Sequence, residues 1–313
     1  MTVGVAGPLV DVRWLASRLD APGLVVLDAS VGAHRGVARR IPGARCFDID
    51  GSLSDPGSPL PHTMPDADRF TEELRALGVD DTSTVVVYDA AGVYSSARAW
   101  WMLRAMGFDR AAVLDGGLPA WEAAAGAPVE DAAPARSAPV RGGFTARPRP
   151  GLLVGSGEVA RALEDPAALV LDARTRGRFT GTAPEPRPGL RGGHMPGAVN
   201  LPFGDVLGGD GRMRHPAELR ARFAEAATAG AGTGPGPGAG ADADTGAGAG
   251  ADAGAGPGAG PERLVFTCGS GVTACVLALA AELAGYRDLS VYDGSWSEWG
   301  LPSADRPVVT GAA

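Results

Sequence analysis

The chain is 313 residues long, 45% hydrophobic and 20% charged, with a formal net charge of −8. That length suits two domains better than a single core, and the ordinary apolar share excludes wholesale disorder. The acidic excess argues against a nucleic-acid partner, which would need a basic face.

At the N-terminus, Met1 to Pro8 lacks a basic stretch followed by a long apolar core, so no secretory signal is expected. Val10-Asp11-Val12-Arg13-Trp14-Leu15 then reads as an amphipathic helix opening the first domain. No apolar run reaches the roughly twenty residues that cross a bilayer, so no membrane contact is expected.

Further along, the chain repeats itself once. Leu24-Val25-Val26-Leu27-Asp28-Ala29 returns as Leu169-Val170-Leu171-Asp172-Ala173-Arg174, and Ile41-Pro42-Gly43-Ala44 as Met195-Pro196-Gly197-Ala198. Val85-Val86-Val87-Tyr88-Asp89 answers Leu264-Val265-Phe266-Thr267-Cys268, and Val113-Leu114-Asp115-Gly116-Gly117 with Trp121 answers Val291-Tyr292-Asp293-Gly294-Ser295 with Trp299. Two copies of one unit follow. Short β-branched runs alternate with helical stretches at Phe70 to Leu77, Ser96 to Met106, Pro216 to Ala227 and Val272 to Leu283. That alternation predicts, in each copy, a small doubly wound α/β domain with a parallel sheet flanked by helices.

The expected boundaries are 1–130 for the first unit, 131–150 for a Pro/Ala/Gly/Arg-rich linker and 151–313 for the second unit. Residues 229–260 are nearly all Gly, Ala, Pro, Asp and Thr with no large apolar side chain, and are expected to form a disordered surface loop inside the second unit.

Of the three cysteines, Cys46 reads as a packed strand residue and Cys275 as helical core. Without a CxxC pair or a Cys/His cluster they offer neither a disulfide framework nor a zinc site, so no metal or cofactor is expected and a reducing cytoplasm is the natural setting. Cys275 lies two helical turns beyond Cys268, roughly 10 Å, against the about 7 Å that a disulfide allows.

Cys268 is different. A strand-like run delivers it into Gly269-Ser270-Gly271-Val272-Thr273, which opens directly onto an Ala/Leu-rich helix. Small residues let successive backbone N–H groups turn toward the sulfur, and the positive end of the helix favours an anion there. A cysteine phosphatase would need an arginine six positions after the cysteine to clamp phosphate. That position is Ala274, and the loop contains no cation. The position answering Cys268 in the first copy is Asp89 or Ala90, so that copy is expected to be catalytically silent and to supply one wall of an interface cleft.

On these residues the sequence resembles the tandem rhodanese-type sulfurtransferases. The loop Cys268-Gly269-Ser270-Gly271-Val272-Thr273 is similar to that of the 3-mercaptopyruvate sulfurtransferase branch; thiosulfate-specific relatives carry Arg and Lys after the cysteine. Asp115-Gly116-Gly117, the run Tyr292 to Trp296, and the stretch from Gly177-Arg178-Phe179 through Pro184-Glu185-Pro186-Arg187 to His194-Met195-Pro196-Gly197-Ala198 extend the likeness over nearly the whole chain.

The resemblance implies a Cys268 persulfide formed by sulfur taken from 3-mercaptopyruvate, with release of pyruvate and transfer to a thiol or cyanide. It implies Arg178 and Arg187 as substrate-binding cations, with Gly269, Gly271, Val272 and Thr273 as the cradle, whereas Arg174 and Arg191 are the poorer choices. It further implies a relay of Ser270, His62 and Asp50. The interval from Asp50 to His62 is one residue longer than the family pattern, and a solvated surface pair is the alternative. The expected partners are a small sulfur donor and a thiol acceptor of thioredoxin-like type. A thiosulfate:cyanide sulfurtransferase and a non-catalytic sensor or protein-binding module remain the alternatives.

Overall fold

The computed structural model describes residues 4–131, 139–231 and 261–312. In the first half, strands β1 (Leu9–Val10), β2 (Leu24–Asp28), β3 (Arg39–Arg40), β4 (Arg45–Cys46), β5 (Thr84–Tyr88), β6 (Ala111–Leu114) and β7 (Glu130–Asp131) accompany helices α1 (Val12–Ala16), α2 (Ala67–Ala76), α3 (Ser96–Ala105) and α4 (Gly117–Ala123). The second half holds β8 (Leu153–Val154), β9 (Ala168–Asp172), β10 (Val199–Asn200), β11 (Arg263–Thr267) and β12 (Asp288–Tyr292), with helices α5 (Ser156–Glu164), α6 (Arg176–Thr180), α7 (Pro216–Ala231), α8 (Ala274–Ala284) and α9 (Ser295–Trp299).

The two main sheets have matching topology. The first runs β1-β6-β5-β2-β4 and the second, read in the same sense, β8-β12-β11-β9-β10, with all pairings parallel. Central strands buried on both faces read in sequence as continuous apolar runs, which is why Val85 to Val87 and Leu169 to Leu171 were visible as strands. The doubly wound arrangement expected from the repeat is present in both halves.

Three apolar clusters hold the molecule together. One lies on the outer face of the first sheet around Val26, Val86 and Trp121, and one on the outer face of the second around Val170, Val265 and Trp299. The third is shared: Phe70, Trp100 and Trp101 of the first half pack into the same cluster as Leu171, Phe266, Val276 and Leu277 of the second. Helices α3 and α8 face each other in this shared layer, and so bring the carboxyl ends of β5 and β11 to one interface. Carboxyl strand ends are where open α/β sheets place ligands.

Two sequence expectations change. Residues 229–231 continue α7, and the remainder of the expected disordered loop, 232–260, lies outside the described residues. A Cβ at Gly230 would stand 2.8 Å from Val199 Cγ2, so glycine serves close packing of the helix on the sheet instead of breaking it. Cys46 is exposed, because β4 is a two-residue strand at the edge of its sheet. The described part of the stretch between the halves, 139–150, is laid along the first half: Phe144 is buried, and the amides of Gly142, Phe144 and Arg147 donate to the carbonyls of Arg75, Val79 and Met106.

Among the described residues no helix is long and apolar enough to cross a membrane, and no three His, Cys, Asp or Glu side chains are grouped to hold a metal ion.

Candidate active site

Cys268 follows the last residue of β11, the central strand, and α8 begins six residues later at Ala274. The intervening loop turns through Gly271 at φ +75°, where a Cβ would come 2.9 Å from the Asp293 carbonyl oxygen; only glycine fits without strain. The loop is held from behind. Cys268 N donates to Ser295 Oγ at 3.2 Å, Trp296 N donates to the Cys268 carbonyl at 3.0 Å, and Ser297 donates to the Gly269 carbonyl from both its amide and its hydroxyl. Cys268, Gly271 and Val272 are buried, whereas Gly269 and Thr273 form the half-exposed rim.

Cys268 is covered by the first half. His62 Nδ1 stands 3.0 Å from Ser270 Oγ, and His62 Nε2 stands 3.0 Å from Asp50 Oδ1. Asp50 Oδ2 also accepts the Gly32 amide at 2.7 Å. A carboxylate can only accept, so the proton sits on Nε2 and Nδ1 is left to accept from the serine hydroxyl. Burial pushes the His62 pKa below the ordinary imidazole range; Arg187 and Arg98 act in the same direction and Asp50 opposes them. The imidazole is therefore neutral at neutral pH. The structure brings the three residues together in one chain of contacts.

Arg178 reaches the loop, since a Cβ at Gly269 would lie 2.9 Å from Arg178 Nη2. Its guanidinium is oriented by Glu185, which accepts from Arg178 Nη2 at 2.6 Å and from Nε at 3.2 Å. Glu185 is itself buried and also accepts from Arg174 Nη1 at 2.8 Å. Arg174, wholly buried, is committed to Asp172 and lies over the Trp296 ring at 4.0 Å. Arg191 donates to the carbonyls of Trp299, Gly300, Leu301 and Arg306. Both are structural. Arg187, half-buried, makes no hydrogen bond or ion pair with any described residue, yet its charge acts on His62 and Tyr94.

Sequence reasoning missed Tyr94. Burial raises its hydroxyl pKa, with the Cys268 sulfur adding to the effect and Arg178 and Arg187 opposing it, which puts the phenol within electrostatic reach of all three. Its position in the first-half loop that answers the Cys268 loop was the available signal.

That first-half loop also settles which residue stands in for the nucleophile. Asp89 follows β5 as Cys268 follows β11. Its carboxylate fills the loop, accepting from Ala91 N at 2.9 Å, Tyr94 N at 2.9 Å and Ser96 N at 2.8 Å. Burial raises the Asp89 pKa and the three amides oppose that rise, so a loop of this shape favours a negative group at its centre.

The Rhodanese-like domain family matches residues 11–124. Over 316 residues the chain is 38% identical to human "3-mercaptopyruvate sulfurtransferase", covering 96% of this chain and 95% of that one. It is 35% identical over 308 residues to the protein of the same name from Escherichia coli K12, covering 96% of each. It is 37% identical over 305 residues to bovine "Thiosulfate sulfurtransferase", covering 93% of this chain and 91% of that one. Among solved structures, the crystal structure of the 3-mercaptopyruvate sulfotransferase SseA from Escherichia coli matches with a TM-score of 0.72 and 31% identity, covering 94% of this chain and 100% of that one. With its doubled α/β unit, its cation-free cysteine loop and near full-length kinship to these proteins, the chain belongs to the tandem rhodanese-type sulfurtransferases, in the 3-mercaptopyruvate sulfurtransferase branch.

Proposed function

We propose that the chain moves sulfur from 3-mercaptopyruvate to a thiol acceptor through a persulfide on Cys268. In the first step the Cys268 thiolate attacks the donor sulfur. An S–S bond forms, the donor C–S bond breaks, and its electron pair leaves on carbon as the enolate of pyruvate, which then takes up a proton. Ser270, two residues from the reacting sulfur and with neutral His62 behind it, is the proton carrier of this step. In the second step an acceptor thiolate takes the outer sulfur and regenerates Cys268. A small dithiol protein of thioredoxin type suits this step, as does a reducing cytoplasm. In this reading residues 151–313 form the catalytic unit, 1–130 the silent wall and 131–150 the connection.

The observation that carries the reading is the division of charge. The loop that holds the sulfur contains no cation, while Arg187, free of protein partners among the described residues, and Arg178, aimed by Glu185, stand beside it to receive the carboxylate and keto oxygens of an α-keto acid. Thiosulfate, a compact dianion without a carbon skeleton, would draw more on cations inside the loop.

Incubation with 3-mercaptopyruvate followed by mass spectrometry is expected to add about 32 Da, one sulfur atom, to Cys268 and to nothing in a Cys268→Ser variant. Comparison of kcat/KM for the two donors tests the assignment. Greater efficiency with thiosulfate would overturn the choice of donor, and absence of the adduct with both donors would leave a sensor or binding module.

A further inference from the structure

Arg98 is fully buried in α3, on the half that lacks a nucleophile. Its Nη2 donates to the His62 carbonyl at 2.8 Å and to Asp293 Oδ1 at 2.6 Å, across the interface. The other oxygen of Asp293 accepts the Met64 amide at 2.9 Å, so the segment 62–64 is pinned at both ends by one ion pair. On its other side the guanidinium backs onto the cysteine loop. A Cβ at Gly271 would stand 3.3 Å from Arg98 Nη1; Nη1 and Nε find no hydrogen-bond partner, and the guanidinium lies within electrostatic reach of the buried Cys275, whose thiol donates to the Gly271 carbonyl.

The repeat supplies an internal control. Asp115 answers Asp293, and it too accepts an amide from the opposite half, that of Met213 at 2.9 Å. Two residues before that methionine stands Gly211 at φ +75°; two residues before Met64 stands His62 at φ +61°. The pseudo-symmetric clamp therefore closes without a buried arginine: among the described residues no arginine forms an ion pair with Asp115, and the arginine acting on its charge, Arg212, is exposed. Glycine takes a positive φ freely, whereas a histidine there is strained because its Cβ crowds the following carbonyl oxygen. A buried ion pair is also weak as a stabiliser, because desolvation offsets most of the attraction. Holding the halves together explains neither the arginine nor the strained histidine.

We propose that Arg98 is a positioning residue for the relay: by binding the His62 carbonyl it fixes that residue in its left-handed conformation, so that the imidazole spans Ser270 and Asp50 while the guanidinium braces the rear of the Cys268 loop. The inference rests on the sulfurtransfer reading for its kinetic consequence, and it gives the silent half a specific part in the other half's chemistry.

The test compares Arg98→Met with Arg104→Met. Arg104 lies on the same helix and forms the other cross-interface ion pair from α3, with Glu282, away from the site. Arg98→Met is expected to lower kcat at least about 100-fold with KM for 3-mercaptopyruvate changed less than about threefold, because Arg178 and Arg187 are untouched. Arg98→Lys, which keeps the charge and one donor, is expected to recover to within about tenfold of the unaltered enzyme. Arg104→Met is expected to leave both constants within about threefold. Independently of any donor, the His62 ring signals in an NMR titration are expected to move to higher pH in Arg98→Met, since the groups facing the ring are Asp50, Ser270, Arg187 and Arg98, and a cation and a buried setting are lost together. Equal kcat losses in Arg98→Met and Arg104→Met would reduce Arg98 to an interface staple. An unmoved His62 titration would overturn the inference even if the donor assignment had already failed, and Arg98→Lys as poor as Arg98→Met at equal Tm would also overturn it.

Discussion

Arg187→Met separates substrate binding from stability more cleanly than any other substitution at this site. The guanidinium has no hydrogen bond or ion pair to lose among the described residues, so its removal is expected to leave Tm within about 2 °C. A hydrogen bond between charged partners is worth about 1.5–3 kcal/mol, which at 1.4 kcal/mol per decade predicts KM for 3-mercaptopyruvate rising about 10- to 150-fold. A second signature follows from its charge. Arg187 helps to hold the His62 pKa down, so removing it raises that pKa, and the acid limb of kcat/KM, where His62 must be neutral, moves to higher pH. Steady-state kinetics across pH, alongside thermal melting, measures all three. Unchanged KM with an unmoved acid limb would refute the reasoning, and so would a large fall in Tm, which would mean that Arg187 is structural.

Arg178→Met is expected to differ from it. Glu185, buried, would keep only Arg174 as its partner, so stability should fall together with affinity, whereas Glu185→Gln should weaken donor binding through the freed Arg178 while Arg174 stays paired to Asp172; melting curves and KM read both. Because the folded His62 pKa is lowered, the unfolded chain takes up the proton first as pH falls through about 6.5, so stability should decline there, and His62→Asn should flatten that decline in chemical denaturation at several pH values. Asp89→Ala would leave three amides without their acceptor, that of Ser96 buried and those of Ala91 and Tyr94 nearer the surface, and is expected to cost about 1–3 kcal/mol with a lowered Tm; an unchanged Tm would show that the loop does not depend on its carboxylate.

Much of this architecture was legible because its signals are local. Buried parallel strands write themselves as apolar runs, and the strand, cysteine, small-residue loop and helix of 263–284 follow one another without a break. Resemblance supplied what locality could not: Ser270 and His62 touch across 208 positions, which no periodicity records. Tyr94 and Arg98 were missed for the same reason. Each looks like an ordinary member of a helix and its leading loop until α3 is packed against the second half. Composition misled where backbone geometry decided. Gly230 reads as a helix breaker but is a point of close packing, and Cys46 reads as interior but sits on a two-residue edge strand.

Asp89 gives the two halves unequal chemical fates. A carboxylate does not climb the oxidation ladder of a thiol and takes up no sulfane sulfur, whereas Cys268 in the proposed reaction changes its covalent state on every turnover and is open to irreversible oxidation between turnovers. Because Asp89 anchors the backbone of Tyr94, the surface that the first half offers its neighbour stays the same whichever state the sulfur is in. In the proposed reaction the duplication thereby sets an invariant mould alongside a reagent that is repeatedly consumed and renewed.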